Sequence, residues 1–96
     1  MSKLSEKVLS LISDNKIEYN TIGNGNHTMS VEKIESEFGL LVAHELPNIE
    51  QYQYFYQNHN NNNTILCIKV SNDRLYATIG TMKDFEKRLL SLMDIG

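Results

Sequence analysis

The sequence predicts an α+β fold: a single domain over residues 1–96, with an antiparallel sheet of about four to five strands flanked by N-terminal, middle and C-terminal helices. Two observations carry that prediction. Apolar residues recur at helical spacing near the start, in the middle and at the end of the chain. Between Gln51 and Ile79, β-branched and aromatic residues run at period two and are broken by polar, turn-forming segments.

The elements follow in chain order. Leu4, Val8, Leu11 and Ile12 form one apolar stripe with serines and charges between them, so the first helix is amphipathic, with Ser2 as a plausible N-cap and Asn15 as a plausible stop. Ile17, Tyr19 and Thr21 alternate with Glu18, Asn20 and Ile22 as a short strand. Asn24-Gly25 suits a type I′ turn, where both central residues need positive φ, and would return the chain as a strand at about His27 to Ser30. The alternative is a loop running straight into the next helix.

That helix carries the stripe Val31, Ile34, Phe38 and Leu41, with Ser30 as its cap and Glu32 at the positive end of its dipole. Its end is open. Gly39 can close the helix and leave Leu40-Leu41-Val42-Ala43 as a strand. Alternatively the helix tolerates Gly39, at a cost of ~1 kcal/mol, and runs to Leu46. Pro47 stops either version.

Residues 49–57 read as a tyrosine-rich strand, Ile65–Val70 as an apolar strand and Leu75–Ile79 as a third, reached through the turn Ser71-Asn72-Asp73-Arg74. The asparagine run Asn60 to Asn63 reads as a mobile loop tip without function. Thr81 and Asp84 have the spacing of a capping box, and Met82, Phe85, Leu89, Leu92 and Met93 form the stripe of a closing helix. Both terminal helices are expected on one apolar face of the sheet.

Composition narrows the function. Hydrophobic content of 41% and charged content of 22% are ordinary for a globular domain. A net charge of −3 with scattered basic residues argues against nucleic acid. No stretch is long enough to span a bilayer, and the N-terminal residues read as a polar-faced helix and not as a signal peptide, so the expected compartment is the cytoplasm. Cys67 is the only cysteine and lies in an apolar strand, where an inert thiol is expected.

Candidate chemistry is sparse. Gly23-Asn24-Gly25 follows a strand, but Thr28 stands where a dinucleotide fingerprint has its third glycine. His27, His44 and His59 form no metal-ligand spacing, so neither a metal nor a cofactor is expected. A Cys67/His44 nucleophile and base pair would need the strand thiol to reach an open cleft. The tyrosines have more appeal. Tyr52, Tyr54 and Tyr56 share one face of their strand, with Gln51, Gln53, Phe55 and Gln57 on the other. That face either covers a helix or serves as a partner surface, together with His44.

With the Asn24-Gly25 hairpin formed and the middle helix running through Gly39, the order is helix, two strands, helix, three strands, helix. This order resembles the roadblock/LC7 domain, best over Ile65–Val70, the four-residue turn, Leu75–Ile79 and the closing helix. The resemblance implies a non-enzymatic homodimer that extends its sheet, or packs its middle helices, across a two-fold and binds small GTPases or other scaffold proteins.

The functional expectation is a small cytoplasmic, non-enzymatic interaction module. It would be a homodimeric scaffold or regulator, or an inhibitor of the immunity type that docks on one protein partner, with no nucleic acid and no membrane. The alternative is a small enzyme or nucleotide-binding domain using the Gly23–Gly25 loop.

Overall fold

The computed structural model describes residues 4–22 and 25–93. The first helix, α1 (Glu6–Ser10), is capped by Ser5, whose Oγ accepts from the Val8 N–H at 3.2 Å. The expected cap, Ser2, lies outside the described residues. The helix closes at Leu11, and Asp14 and Asn15 then take left-handed φ values of 57° and 56° in the turn that follows. These residue types tolerate that region because a short polar side chain can hydrogen-bond locally.

Strands β1 (Lys16–Thr21) and β2 (Asn26–Ser30) form an antiparallel hairpin, with Lys16 opposite Ser30 and Asn20 opposite Asn26. The hairpin is therefore the one of the two sequence options that forms. Ser30 caps α2 (Val31–Glu37), accepting from the Lys33 N–H at 3.1 Å. The helix ends before Gly39, and β3 (Phe38–Leu46) follows without a loop. From Phe38 onward the backbone is extended and paired with β4; beside it a Cβ on Gly39 would sit 2.8 Å from His59 Cε1, and the His59 N–H donates to the Glu37 carbonyl at 2.8 Å. The asparagine loop thus packs on the helix end, where the missing side chain leaves room.

A short 3₁₀ turn (Pro47–Ile49) leads to β4 (Gln51–Asn58), β5 (Thr64–Ser71), β6 (Arg74–Thr81) and α3 (Met82–Met93). Asn72 and Asp73, with φ of 51° and 62°, make the two-residue β5–β6 turn. Both being left-handed matches the twist of the hairpin. The α3 capping box forms as its spacing suggests: Asp84 Oδ2 accepts from the Thr81 N–H at 2.7 Å, and the Asp84 N–H donates to Thr81 Oγ1 at 3.3 Å. Those bonds to Thr81 hold the Asp84 carboxyl below its ordinary range.

The asparagine loop is not the free tip expected of it. Asn58 Oδ1 accepts from the Asn60 and Asn61 N–H groups at 2.8 and 3.0 Å, and Gln57 Nε2 donates to the Asn62 carbonyl at 2.8 Å. The first N–H of α3, on Met82, donates to the Asn63 carbonyl at 2.9 Å.

The strands join in one six-stranded sheet of order β2-β1-β6-β5-β4-β3. Two features of the expected fold are corrected. The sheet is mixed and not antiparallel, because β1 and β6 are parallel neighbours, with Asn20 beside Thr78 and Thr21 beside Ile79. It has six strands and not four to five, because the segment after Gly39 is strand. Turns fix every other pairing as antiparallel, but β1 and β6 lie far apart in sequence and no turn sets their relative direction. The element order is helix, two strands, helix, four strands, helix, one strand more than the order that carried the family resemblance.

The helices also divide between the faces, where both terminal ones were expected together. On the α1/α2 face, Val8 and Ile34 pack with Tyr54, Tyr56, Leu66 and Ile68. On the other face, Phe85 and Leu89 of α3 pack with Phe55, Ile65 and Cys67. The cause is β5, in which Ile65, Leu66, Cys67 and Ile68 are all buried. A strand apolar on both sides needs a layer on each.

Candidate functional site

The tyrosine face of β4 lies against α1 and α2. Tyr54 and Tyr56 are 2% and 1% exposed, so the surface available on them is minimal, while Tyr52 is half-buried beneath Lys7 Nζ, 5.7 Å from its ring centroid. Tyr54 Oη donates to Glu45 Oε2 at 2.6 Å. Burial and that bond push its phenol up to about 12. Burial also pushes the Tyr56 phenol up, and its hydroxyl has no hydrogen-bond partner. His44 is half-buried on β3, on the opposite face of the sheet from these rings. The four residues singled out from the sequence are therefore not one cluster.

Cys67 and His44 share the α3 face but are separated by β4: His44 pairs with Gln53, and Phe55 pairs with Cys67. Burial pushes the Cys67 thiol up, the direction opposite to an activated nucleophile. Gly23 and Asn24, the heart of the proposed phosphate loop, lie outside the described residues. Gly25 has open space around it, and His27 packs on Tyr19 with ring centroids 5.4 Å apart. Among the described residues, no group of three His, Cys, Asp or Glu side chains is placed to hold a metal, and no helix is long and apolar enough to cross a membrane.

Two surfaces remain, and neither was singled out from the sequence. The first is the outer edge of β3. This nine-residue strand is hydrogen-bonded to β4 on one side and ends the sheet on the other. It leaves Leu40, Leu41 and Leu46 exposed by 48%, 41% and 40%. A bulge at Leu41 reverses the alternation, so that Val42, His44 and Leu46 fall on the α3 face and Ala43 and Glu45 on the other.

The second is the part of the α3 face that α3 leaves uncovered. A groove of about 850 Å³ opens there over β5 and β6, with Cys67, Lys69, Arg74, Tyr76 and Arg88 among its lining residues. No acidic residue lines it. The only ion pair among the described residues is Lys7 with Asp73 at 2.6 Å, so Lys69, Arg74 and Arg88 are cations without a carboxylate partner. Arg88 is positioned by two contacts, with Nη1 3.7 Å from Cys67 Sγ and its guanidinium 5.5 Å from the Phe85 ring centroid.

A sequence signal for the groove did exist. Lys69, Arg74 and Tyr76 fall on one side of the β5–β6 hairpin once its turn is set at Asn72-Asp73. Arg88 joins them only through the packing of α3. No family model, no curated protein and no solved structure matches this chain.

Proposed function

We propose that this chain is a small protein–protein interaction module that works as a homodimer joined along β3. The observation that carries the reading is the free edge of that strand. A long edge with exposed leucines presents unpaired backbone groups and apolar surface together, which is a template for strand pairing. Edges that avoid pairing use lysine, proline or a very short strand, and β3 has none of these, although its bulge confines a regular ladder to the residues after Leu41.

Register narrows the geometry. An antiparallel two-fold through His44 sets Val42 opposite Leu46 and Ala43 opposite Glu45 of the second copy, keeping each pair on one face. His44 then meets its own counterpart at the axis. Leu40, Leu41 and Ile49 flank the pairing and add apolar area. This gives His44 a partner role and leaves Tyr54 and Tyr56 as the core beneath the interface strand.

Light scattering of the full chain across a concentration series tests this. Twice the chain mass is expected for the native protein. His44→Lys places like charges face to face at the axis, and Leu41→Lys charges the flank. Each variant should shift the mass toward the monomer while keeping the native circular dichroism spectrum. A native protein that stays monomeric at high concentration overturns the dimer.

A further inference from the structure

We propose that the groove over β5 and β6 is a docking site for an extended acidic segment of a partner protein. It rests on the reading of the chain as a protein-binding module but not on the dimer. Three observations lead to it, and the first is charge. In a chain of net charge −3, Lys69, Arg74 and Arg88 gather on one open surface with no acidic lining residue and no carboxylate partner among the described residues.

The second observation is spacing. Lys69 pairs with Tyr76 across the hairpin and Ser71 with Arg74, while Arg88 reaches Cys67, which pairs with Thr78. Cys67, Lys69 and Ser71 alternate along β5, so the three cations stand on successive same-face rungs. Rungs two residues apart are separated by ~6.7 Å, which is also the spacing of same-side residues in an extended peptide. Aspartate or glutamate at alternate positions of such a segment meets one cation per rung.

The third is shape and rim. The groove is partly open to solvent, whereas small-molecule sites enclose most of their ligand. An open cationic trough instead suits a polymer held by several modest contacts, and charge complementarity there contributes more to encounter rate and specificity than to affinity. Tyr76, 53% exposed, offers a flat ring within the trough. Glu18 lies on the neighbouring strand at the level of Tyr76 and borders the cationic strip on that side.

The test uses the full chain and a fluorescent peptide in which glutamate alternates with threonine, read by anisotropy. A peptide of the same composition with its glutamates in one block, inorganic pyrophosphate and a single-stranded oligonucleotide are the competitors. The alternating peptide should bind more tightly than the block peptide and weaken as salt is raised. Combining Lys69→Gln, Arg74→Gln and Arg88→Gln should reduce its affinity by at least ~10-fold, taking each exposed pair at its usual modest strength. Lys33→Gln, on α2 across the sheet, should leave it unchanged.

Equal binding of the two peptides, or competition by pyrophosphate or oligonucleotide at lower concentration than by peptide, overturns the proposal. So does an unchanged affinity in the Lys69→Gln single variant, which removes the central cation without touching the Arg88 contacts with Cys67 and Phe85. The chain mass measured in parallel keeps the two readings apart. Peptide binding by a monomer removes the dimer alone, and a dimer that ignores the peptide removes the groove alone.

Discussion

Tyr54 and Tyr56 stand two residues apart on the same strand and face, yet their hydroxyls have opposite energetics. The Tyr54 hydroxyl reaches out to Glu45, while the Tyr56 hydroxyl is buried without a partner. A desolvated hydroxyl that makes no hydrogen bond costs ~1–3 kcal/mol. Tyr56→Phe is therefore expected to leave stability unchanged or raise it by about 1 kcal/mol, and Tyr54→Phe to lower it by about 1 kcal/mol through loss of the bond to Glu45. Urea unfolding of the two variants checks this, and the reverse order would mean that Tyr56 has found a partner. The period-two alternation showed that the rings share a face. It could not show which hydroxyl reaches a partner, because Glu45 is brought to Tyr54 by the β3–β4 pairing.

The asparagine loop and α3 act as one element. Its composition, without apolar anchors, suggests a segment unable to offset its own ordering entropy. The structure answers with local bonds: Asn58 Oδ1 closes the turn, and the Asn63 carbonyl takes the first N–H of α3. Asparagine is suited to this because its side chain imitates a backbone turn. Shortening Asn60–Asn63 to a tight Asn-Gly turn removes that carbonyl and the turn that presents it. The expected result is a loss of at most ~0.5–1.5 kcal/mol for each of these exposed bonds broken, together with a drop in helical ellipticity as the start of α3 frays. Unchanged unfolding and ellipticity would show that the Thr81–Asp84 box alone sets the helix start.

At the scale of the whole molecule, helices pack on both sides of the sheet and the tyrosine layer is central to the larger core. That gives the chain a defined alkaline limit. The Tyr54 phenol is raised from its ordinary 10 to about 12, and that of Tyr56 is raised as well. Between these limits the unfolded chain gives up its phenolic protons while the folded chain keeps them. The unfolded state is then the one with fewer bound protons, so stability falls as pH rises. Stability should be flat on this account below pH ~10 and decline through pH ~12, and the part of the tyrosinate ultraviolet signal that is lost in Tyr54→Phe and Tyr56→Phe should rise in step with unfolding. That part of the signal appearing well before unfolding would place these two phenols in contact with water.

Local chemistry alone determined a good deal here. The apolar stripes placed three helices, Ser30 and the Thr81–Asp84 pair named two of their starts, and the left-handed turn at Asn72-Asp73 set the β5–β6 register. Each of these is decided within a few residues by hydrogen bonds and backbone preference. Tertiary structure decided what no short segment contains. α2 ends at Glu37 because the chain from Phe38 onward pairs with β4, with His59 packed where a Gly39 side chain would be. β1 lies parallel to β6 because no turn joins them and only packing sets their direction. α3 takes the opposite face from α1 because β5 is apolar on both sides. The cationic groove follows from that last choice: the hairpin already sets Lys69 near Arg74, and Arg88 joins them only when a helix 12 residues long crosses part of that face and leaves the rest open.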